Sequence, residues 1–171
     1  LNYYTYGLRI YKNMPLIEPV ETKENLRIDE LVIVVDTSYS TSGELVKKFL
    51  RETFTILSET DSFFRKRKIH IIQCDELVHS DITVTGDTDI DILINNFELA
   101  GGGNTDFRPA FEYVNNLIDT GEIKKLQGLL YFTDGKGKYP KKKMPYNTAF
   151  VFIDKLSETA VPAWAMKVSL E

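Results

Sequence analysis

The sequence predicts an α/β protein whose sheet is open, mostly parallel and doubly wound, with helices on both faces. Short apolar runs rich in β-branched residues alternate with longer amphipathic segments, which is typical of strand–helix units around a parallel sheet. The first run, LVIVV at Leu31 to Val35, is apolar at every position. Helices that cover a strand on both sides require such a pattern, so we expect this strand to be central.

The remaining elements follow the same alternation. A helix is predicted from Glu44, where Thr41 and Glu44 fit a capping box and apolar residues recur near helical spacing, namely Leu45, Phe49, Phe54 and Leu57. Two more helices are predicted, a short one over Asp89 to Phe97 and another over Phe107 to Ile118 with Asp106 as its N-cap. Further strands are predicted at Lys68 to Cys74, Ser80 to Val84 (as an edge), Leu126 to Phe132, Ala149 to Asp154 and Ala163 to Leu170.

Composition narrows the class of protein and its partners. The 171 residues, 43% of them hydrophobic, suffice for one domain, and no apolar run reaches the roughly 20 residues that span a bilayer. A formal net charge of -4 argues against nucleic acid or an anionic membrane as a partner. The single cysteine, Cys74, fits a reducing compartment, so we expect a cytoplasmic protein.

We expect residues 1–25 to pack as an N-terminal extension on a domain formed by residues 26–171, and the start at Leu1 suggests a fragment of a longer protein.

Three polar loops are predicted to meet at one edge of the sheet. DTSYS follows the first strand, GGGNTD precedes a helix, and TDG follows the strand that ends at Phe132. In an open parallel sheet these positions lie at the carboxyl edge, where ligands bind. Hard oxygen donors suit Mg²⁺ or Mn²⁺ better than softer metals. The candidate metal ligands are Asp36, Ser38, Ser40, Thr105 and Asp134.

These loops resemble a known site. DTSYS, the distant Thr105 and TDG resemble the metal-ion-dependent adhesion site of von Willebrand factor A domains, whose motif is D-x-S-x-S with a later threonine and a later aspartate. A narrower resemblance adds the segments CDELVHS, GGGNTDFRPAFE, TDGKGKYP and VPAWAMKV. They are similar to the C-terminal von Willebrand A-like domain of bacterial metallopeptidase-like proteins. The resemblance covers roughly Leu26 to Glu171 and implies a Rossmann-like sheet.

The resemblance also implies roles for the candidate residues. Ser38, Ser40 and Thr105 would contact the metal directly, and Asp36 and Asp134 would do so directly or through water. Mg²⁺ requires near-octahedral coordination and keeps several waters, so an Asp or Glu of a protein partner can complete the site. The implied function is therefore metal-dependent protein–protein interaction within a larger bacterial protein.

Family context adds two expectations. It implies a ring-forming AAA-type ATPase as a possible partner, by analogy alone. It also places the peptidase-like features of these relatives in a preceding domain with a histidine–glutamate zinc motif. This chain has no H-E-x-x-H, so we expect this domain not to be an enzyme.

Alternatives to this interpretation are open at the level of sequence. A Mg²⁺-dependent phosphohydrolase could use Asp36 or Ser38 as nucleophile, but such aspartates usually have a second acid two residues on, and no general base is evident. A metal-free scaffold would use the same loops only to cap helices. A zinc site at His70, Cys74 and His79 is a minor alternative, because a buried, inert thiol explains the cysteine. The basic clusters at 65–68 and 141–143 are interpreted as solvated loop charge.

Overall fold

The computed structural model describes residues 30–38, 43–58, 68–152 and 161–169. These residues contain, in chain order, β1 (Glu30–Asp36), α1 (Gly43–Ser58), β2 (Lys68–Cys74), β3 (Val78–Val84), α2 (Ile90–Asn95), α3 (Arg108–Asp119), β4 (Leu126–Thr133), β5 (Asn147–Phe152) and β6 (Met166–Ser169). The strands form one six-stranded sheet in the order β3-β2-β1-β4-β5-β6. Among the described strands only the β2–β3 pair is antiparallel, so the sheet is mostly parallel, as predicted.

Both faces of β1 carry apolar side chains, and helices cover both faces of the sheet and bury them. Val32 and Val34 belong to a core that packs against α3, whereas Ile33 and Val35 belong to a second core that packs against α1 and α2. All four side chains are fully buried. The prediction of a central first strand in a doubly wound, Rossmann-like sheet is therefore confirmed.

Two local predictions need correction. Leu45 was expected on the buried face of the first helix but is 40% exposed, because the buried stripe of α1 consists of Val46, Phe49, Leu50 and Phe54. Asp106 is not the N-cap of α3, since that position belongs to Phe107 and the helix begins at Arg108. The carboxylate of Asp106 nevertheless accepts a hydrogen bond from the Arg108 backbone N–H at 3.0 Å.

Other predictions lie outside the described residues. These are the extension over residues 1–25, the capping threonine Thr41, the basic cluster at 65–67, and the strand ends at Asp154 and Leu170. The edge strand near Ser80 is confirmed as β3, which pairs with no other described strand than β2. None of the helices that the structure describes is long and apolar enough to span a bilayer.

Candidate metal centre

The candidate site lies at the topological switch point of the sheet. From β1 the chain continues to β2 and β3 on one side, then crosses to β4 on the other side of β1. At such a point the loops after the two neighbouring strands diverge and leave a crevice at the carboxyl edge. Asp36 is the last residue of β1, and Asp134 directly follows β4. Strand order therefore brings the two predicted carboxylates to the same crevice.

Asp36 is held by hydrogen bonds from two neighbouring segments. Its Oδ1 accepts from the Ser38 backbone N–H at 2.9 Å, and its Oδ2 accepts from the Thr133 hydroxyl at 2.6 Å. Thr133 Oγ1 also accepts from the Gly135 N–H at 3.0 Å. This chain of bonds joins the ends of β1 and β4 and fixes the orientation of the carboxylate. Ser38 is itself buried beside it.

Charge at the site is concentrated and negative. Burial raises the pKa of Asp36 above its ordinary value, hydrogen bonds from Thr133 and Ser38 oppose that rise, and the charge of Asp134 adds to it. Burial likewise raises the pKa of Tyr139 to about 12, with added effects from Asp134 and Asp36. Within the described ranges, neither aspartate forms an ion pair with a lysine, arginine or histidine.

The GGGNTD loop is fastened to the end of β2 by Asp75. The Asp75 carboxylate accepts from the backbone N–H groups of Leu77 and Gly103 at 2.9 and 3.0 Å, and it pairs with His79 Nε2 at 2.9 Å. Its backbone carbonyl accepts from the Asp106 N–H at 3.2 Å. Burial alone would raise the pKa of Asp75, but these bonds outweigh it and hold the pKa below its usual value. Asp75 thus fixes both sides of the segment that carries Thr105.

Thr105 packs against the loop that carries Asp134. A Cβ added to Gly137 would lie 2.7 Å from Thr105 Cγ2, so only a glycine allows this approach. The Phe107 N–H donates to the Lys138 carbonyl at 3.1 Å, and Asp106 and Lys138 form a parallel bridge. The loop with Thr105 therefore lies between the Asp75 turn and the Asp134 loop.

The donor set fits a hard divalent cation. The Asp36 carboxylate accepts hydrogen bonds from Ser38 and Thr133, and these do not use all of its roughly four acceptor positions. Asp134 is half-buried, and its Oδ1 accepts from the Lys136 N–H at 3.1 Å. Of the five predicted ligands, Asp36, Ser38, Thr105 and Asp134 lie in segments that contact one another, whereas Ser40 lies outside the described residues.

Sequence reasoning missed two residues that support the site. Thr133 begins the TDG turn, but local sequence does not predict its hydrogen bond to Asp36, because pairing between β1 and β4 is a tertiary contact. Asp75 is not among the predicted site residues, although its position directly after β2, at the carboxyl end of a parallel strand, is the signal that could identify it.

The zinc alternative finds no support in the geometry. His70 Nδ1 contacts Asp81 at 2.9 Å, and His79 pairs with Asp75. Across the described parts of the chain, no group of three or more His, Cys, Asp or Glu residues is placed to hold a metal. Burial raises the pKa of the Cys74 thiol to about 12, which agrees with an inert, buried cysteine.

Comparisons with known proteins agree with the fold. The VWA domain of SpRpn10 superposes with a TM-score of 0.56 at 14% identity, covering 84% of this chain and 88% of that one. An aerotolerance-related membrane protein from Bacteroides fragilis superposes with a TM-score of 0.53 at 11% identity, covering 84% of this chain and 92% of that one. No curated protein matches the sequence. Residues 31–171 match the family described as VWA-like domain (DUF2201), so the chain belongs to that family.

Proposed function

We propose that this VWA-like domain is a metal-dependent protein-interaction domain. The VWA-like fold suggests protein interaction. The finer proposal is that Mg²⁺, or Mn²⁺, is held at the carboxyl edge of the sheet by Asp36, Ser38, Ser40, Thr105 and Asp134. When bound, the ion would supply an exchangeable coordination position for an acidic side chain of the partner.

The buried carboxylate of Asp36 is the observation that carries this proposal. A charge taken out of water is costly unless another charge compensates for it. Asp36 is 0% exposed, has a second carboxylate nearby in Asp134, and has no cationic partner among the described side chains. A divalent cation would compensate both carboxylates at once, and hydroxyls of the adjacent loops would complete its oxygen ligands.

The resemblance to bacterial metallopeptidase-like proteins suggests the setting. We propose that the domain is part of a larger cytoplasmic protein in bacteria and that the acidic group comes from a protein partner, with a AAA-type ATPase as one candidate by analogy. The partner's carboxylate would be attracted to the site only after the metal has offset the charges of Asp36 and Asp134.

We propose that the domain does not itself catalyse a reaction. The rival phosphohydrolase mechanism needs Asp36 or Ser38 as an accessible nucleophile. Both residues are buried, and both oxygens of Asp36 already accept hydrogen bonds. Release of p-nitrophenol from p-nitrophenyl phosphate in the presence of Mg²⁺, at a rate that Asp36→Asn abolishes, would establish the rival function.

Calorimetric titration of Mg²⁺ and Mn²⁺ tests the metal site directly. We expect saturable binding to the wild-type chain. Asp36→Ala, Thr105→Ala and Asp134→Ala should each lower affinity by more than about tenfold, since loss of an outer-shell partner alone costs about 10–100-fold. Circular dichroism must first show that each variant is folded.

Matched control variants distinguish the loss of a metal-coordinating side chain from a nonspecific effect of substitution on metal affinity. Asp87→Ala and Thr85→Ala remove the same side-chain types from exposed positions outside the site, and we expect unchanged affinity. Absence of saturable binding by the wild-type chain at millimolar metal would contradict a preformed site. Equal losses in the control variants would show that the binding is not at the carboxyl edge.

A further inference from the structure

A basic groove lies beside the candidate metal centre, between α3 and the loop that leads from β4 to β5. Its volume is about 790 Å³. The floor of the groove is apolar and consists of Phe111, Tyr139, Pro140 and Met144. The rim includes three lysines, namely Lys138, Lys141 and Lys142. We call this feature the lysine groove.

The rim is strongly positive in a protein that is negative as a whole. The loop from 136 to 143 contains the exposed lysines Lys136, Lys138, Lys141, Lys142 and Lys143, whereas the chain has a formal net charge of -4. None of these lysines forms an ion pair with a residue in the described ranges. Arg108 also lines the groove, but its guanidinium is paired with Asp106. The lysines are therefore available to an external anion.

The floor is fixed by packing. Tyr139 donates its hydroxyl to the Gly135 carbonyl at 3.0 Å, and its ring meets Phe107 edge-on with 4.7 Å between ring centroids. Phe111 and Met144 belong to the core on the α3 face. A preorganised apolar floor needs little reordering when it receives a side chain, which favours binding. The groove thus offers an apolar contact surrounded by positive charge.

We propose that the lysine groove binds an acidic segment of a partner protein that inserts an apolar side chain against Phe111, Tyr139 and Met144. Carboxylates of the segment would lie over Lys138, Lys141 and Lys142, where charge complementarity raises the rate of association and selects the partner. A nucleic acid would meet less favourable chemistry. The lysines would attract phosphates as well as carboxylates, but the buried apolar floor formed by Phe111 and Met144 accepts an aliphatic side chain, which a sugar-phosphate backbone lacks.

The groove and the metal centre share one loop. Asp134 directly follows β4, and the next residue, Gly135, accepts a hydrogen bond from the Tyr139 hydroxyl through its carbonyl. Lys138 and Tyr139 of the same loop line the groove. An acidic segment could therefore reach both places. This inference rests on the proposed function only for its choice of a protein partner, because binding in the groove itself needs no metal.

Fluorescence anisotropy with a labelled peptide rich in glutamate and leucine tests the proposal. We expect it to bind the wild-type chain at low ionic strength, with and without EDTA, and to bind more weakly as salt is added. The double variant Lys141→Glu/Lys142→Glu should lower affinity by at least about tenfold. The matched variant Lys48→Glu/Lys124→Glu makes the same change in net charge at exposed lysines elsewhere, and we expect less than about a twofold effect.

Three further ligands distinguish a site for an acidic peptide from a site for phosphate. A peptide with serine for leucine should bind more weakly, and one with lysine for glutamate should not bind. Tighter binding of labelled oligouridylate than of the acidic peptide, lost in the Lys141→Glu/Lys142→Glu variant, would overturn the proposal in favour of a phosphate site. Equal losses in the two double variants would also overturn it.

The proposed metal site and the proposed groove site would be contradicted by different results. Acidic-peptide binding that disappears with EDTA or in Asp134→Ala, but survives Lys141→Glu/Lys142→Glu, would support the metal centre and overturn the groove. Binding that persists while calorimetry detects no metal would support the groove and contradict the metal-dependent function.

Discussion

Asp36 is a carboxylate residue that directly follows the apolar run Leu31 to Val35 of β1. Its carboxylate is fully buried, and burial is the main reason that its pKa is raised. For a carboxyl group, a raised pKa in the folded state means that the charged form destabilises the fold. Residues that bind or catalyse often carry such a cost in stability. At the scale of the single residue, we therefore expect function and stability to conflict at Asp36.

The substitution Asp36→Asn tests this conflict. In EDTA at pH 7 we expect it to raise the melting temperature, because the amide keeps the shape of the side chain without the buried charge. In Mg²⁺ we expect it to abolish metal binding. Differential scanning fluorimetry at several pH values, with calorimetry for the metal, makes both measurements.

The pH dependence has a defined sign. The pKa of Asp36 is higher in the folded than in the unfolded chain, so its contribution to stability is fully present below the ordinary carboxyl value and is lost as pH rises through the raised folded value. Asp36→Asn should remove that part of the pH profile, whereas exposed Asp87→Asn should leave it unchanged. A lower melting temperature for Asp36→Asn in EDTA would show that the carboxylate is needed structurally.

At the scale of elements, the site depends on how closely the GGGNTD loop approaches the end of β1. Gly101 has a φ of 139°, and a Cβ added there would lie 2.4 Å from Thr37 Oγ1 and 2.9 Å from Asp75 Oδ2. Asp75 then holds the loop through Gly103 and Asp106. Glycine is therefore required at position 101, because the loop backbone packs directly against the Thr37 side chain and the Asp75 carboxylate at this point.

A pair of glycine substitutions measures that requirement. Gly121 also has a positive φ, 81°, but a Cβ there would meet nothing within 4 Å. We expect Gly121→Ala to cost about 1 kcal/mol from its backbone conformation alone. Gly101→Ala should cost more, up to about 3 kcal/mol, because the contacts with Thr37 and Asp75 are added.

The two variants should also differ in metal binding. Gly101→Ala shifts the loop that carries Thr105, so we expect weaker Mg²⁺ binding, and Gly121→Ala should bind as the wild type does. Chemical denaturation and calorimetry give the two quantities. Equal effects of both substitutions on stability and on metal affinity would contradict the close packing of the GGGNTD loop.

At the scale of the whole molecule, the candidate metal ligands come from segments that are far apart in the sequence. Asp36 ends β1, Thr105 precedes α3 and Asp134 follows β4. The unfolded chain cannot hold these residues together, so the metal should bind the folded state alone and stabilise it by mass action. The stabilisation should be global because the three segments belong to one sheet and its α3 layer.

A thermal shift experiment tests this coupling. Mg²⁺ at about 100 times its dissociation constant should add about 2.7 kcal/mol to the free energy of unfolding. For a chain of this length, that corresponds to a rise in melting temperature of roughly 5–10 °C. EDTA should reverse the shift, and Thr105→Ala should show none. An equal shift in Thr105→Ala would place the stabilising ion elsewhere on the molecule.

Local patterns were sufficient to predict most of the elements. The apolar run of β1 predicted a central strand, and the weaker pattern near Ser80 predicted an edge. The start of α1 was predicted within one residue, whereas the exposure of Leu45 was not. Helical spacing identifies an apolar stripe, but neighbouring Leu45 and Val46 both fit it, and only packing against the sheet selects Val46.

The sequence by itself determined the α/β class, the two-sided burial of β1 and the types of oxygen donor in the three polar loops, because these depend on residue type and short-range spacing. Only the tertiary structure decided that Thr133 holds Asp36, that Asp75 holds both sides of the Thr105 segment, and that the lysines of the 136–143 loop rim an apolar groove. Those relations arise where β1, β2, β4 and α3 meet. Strand order and loop packing, rather than local preference, bring those residues together.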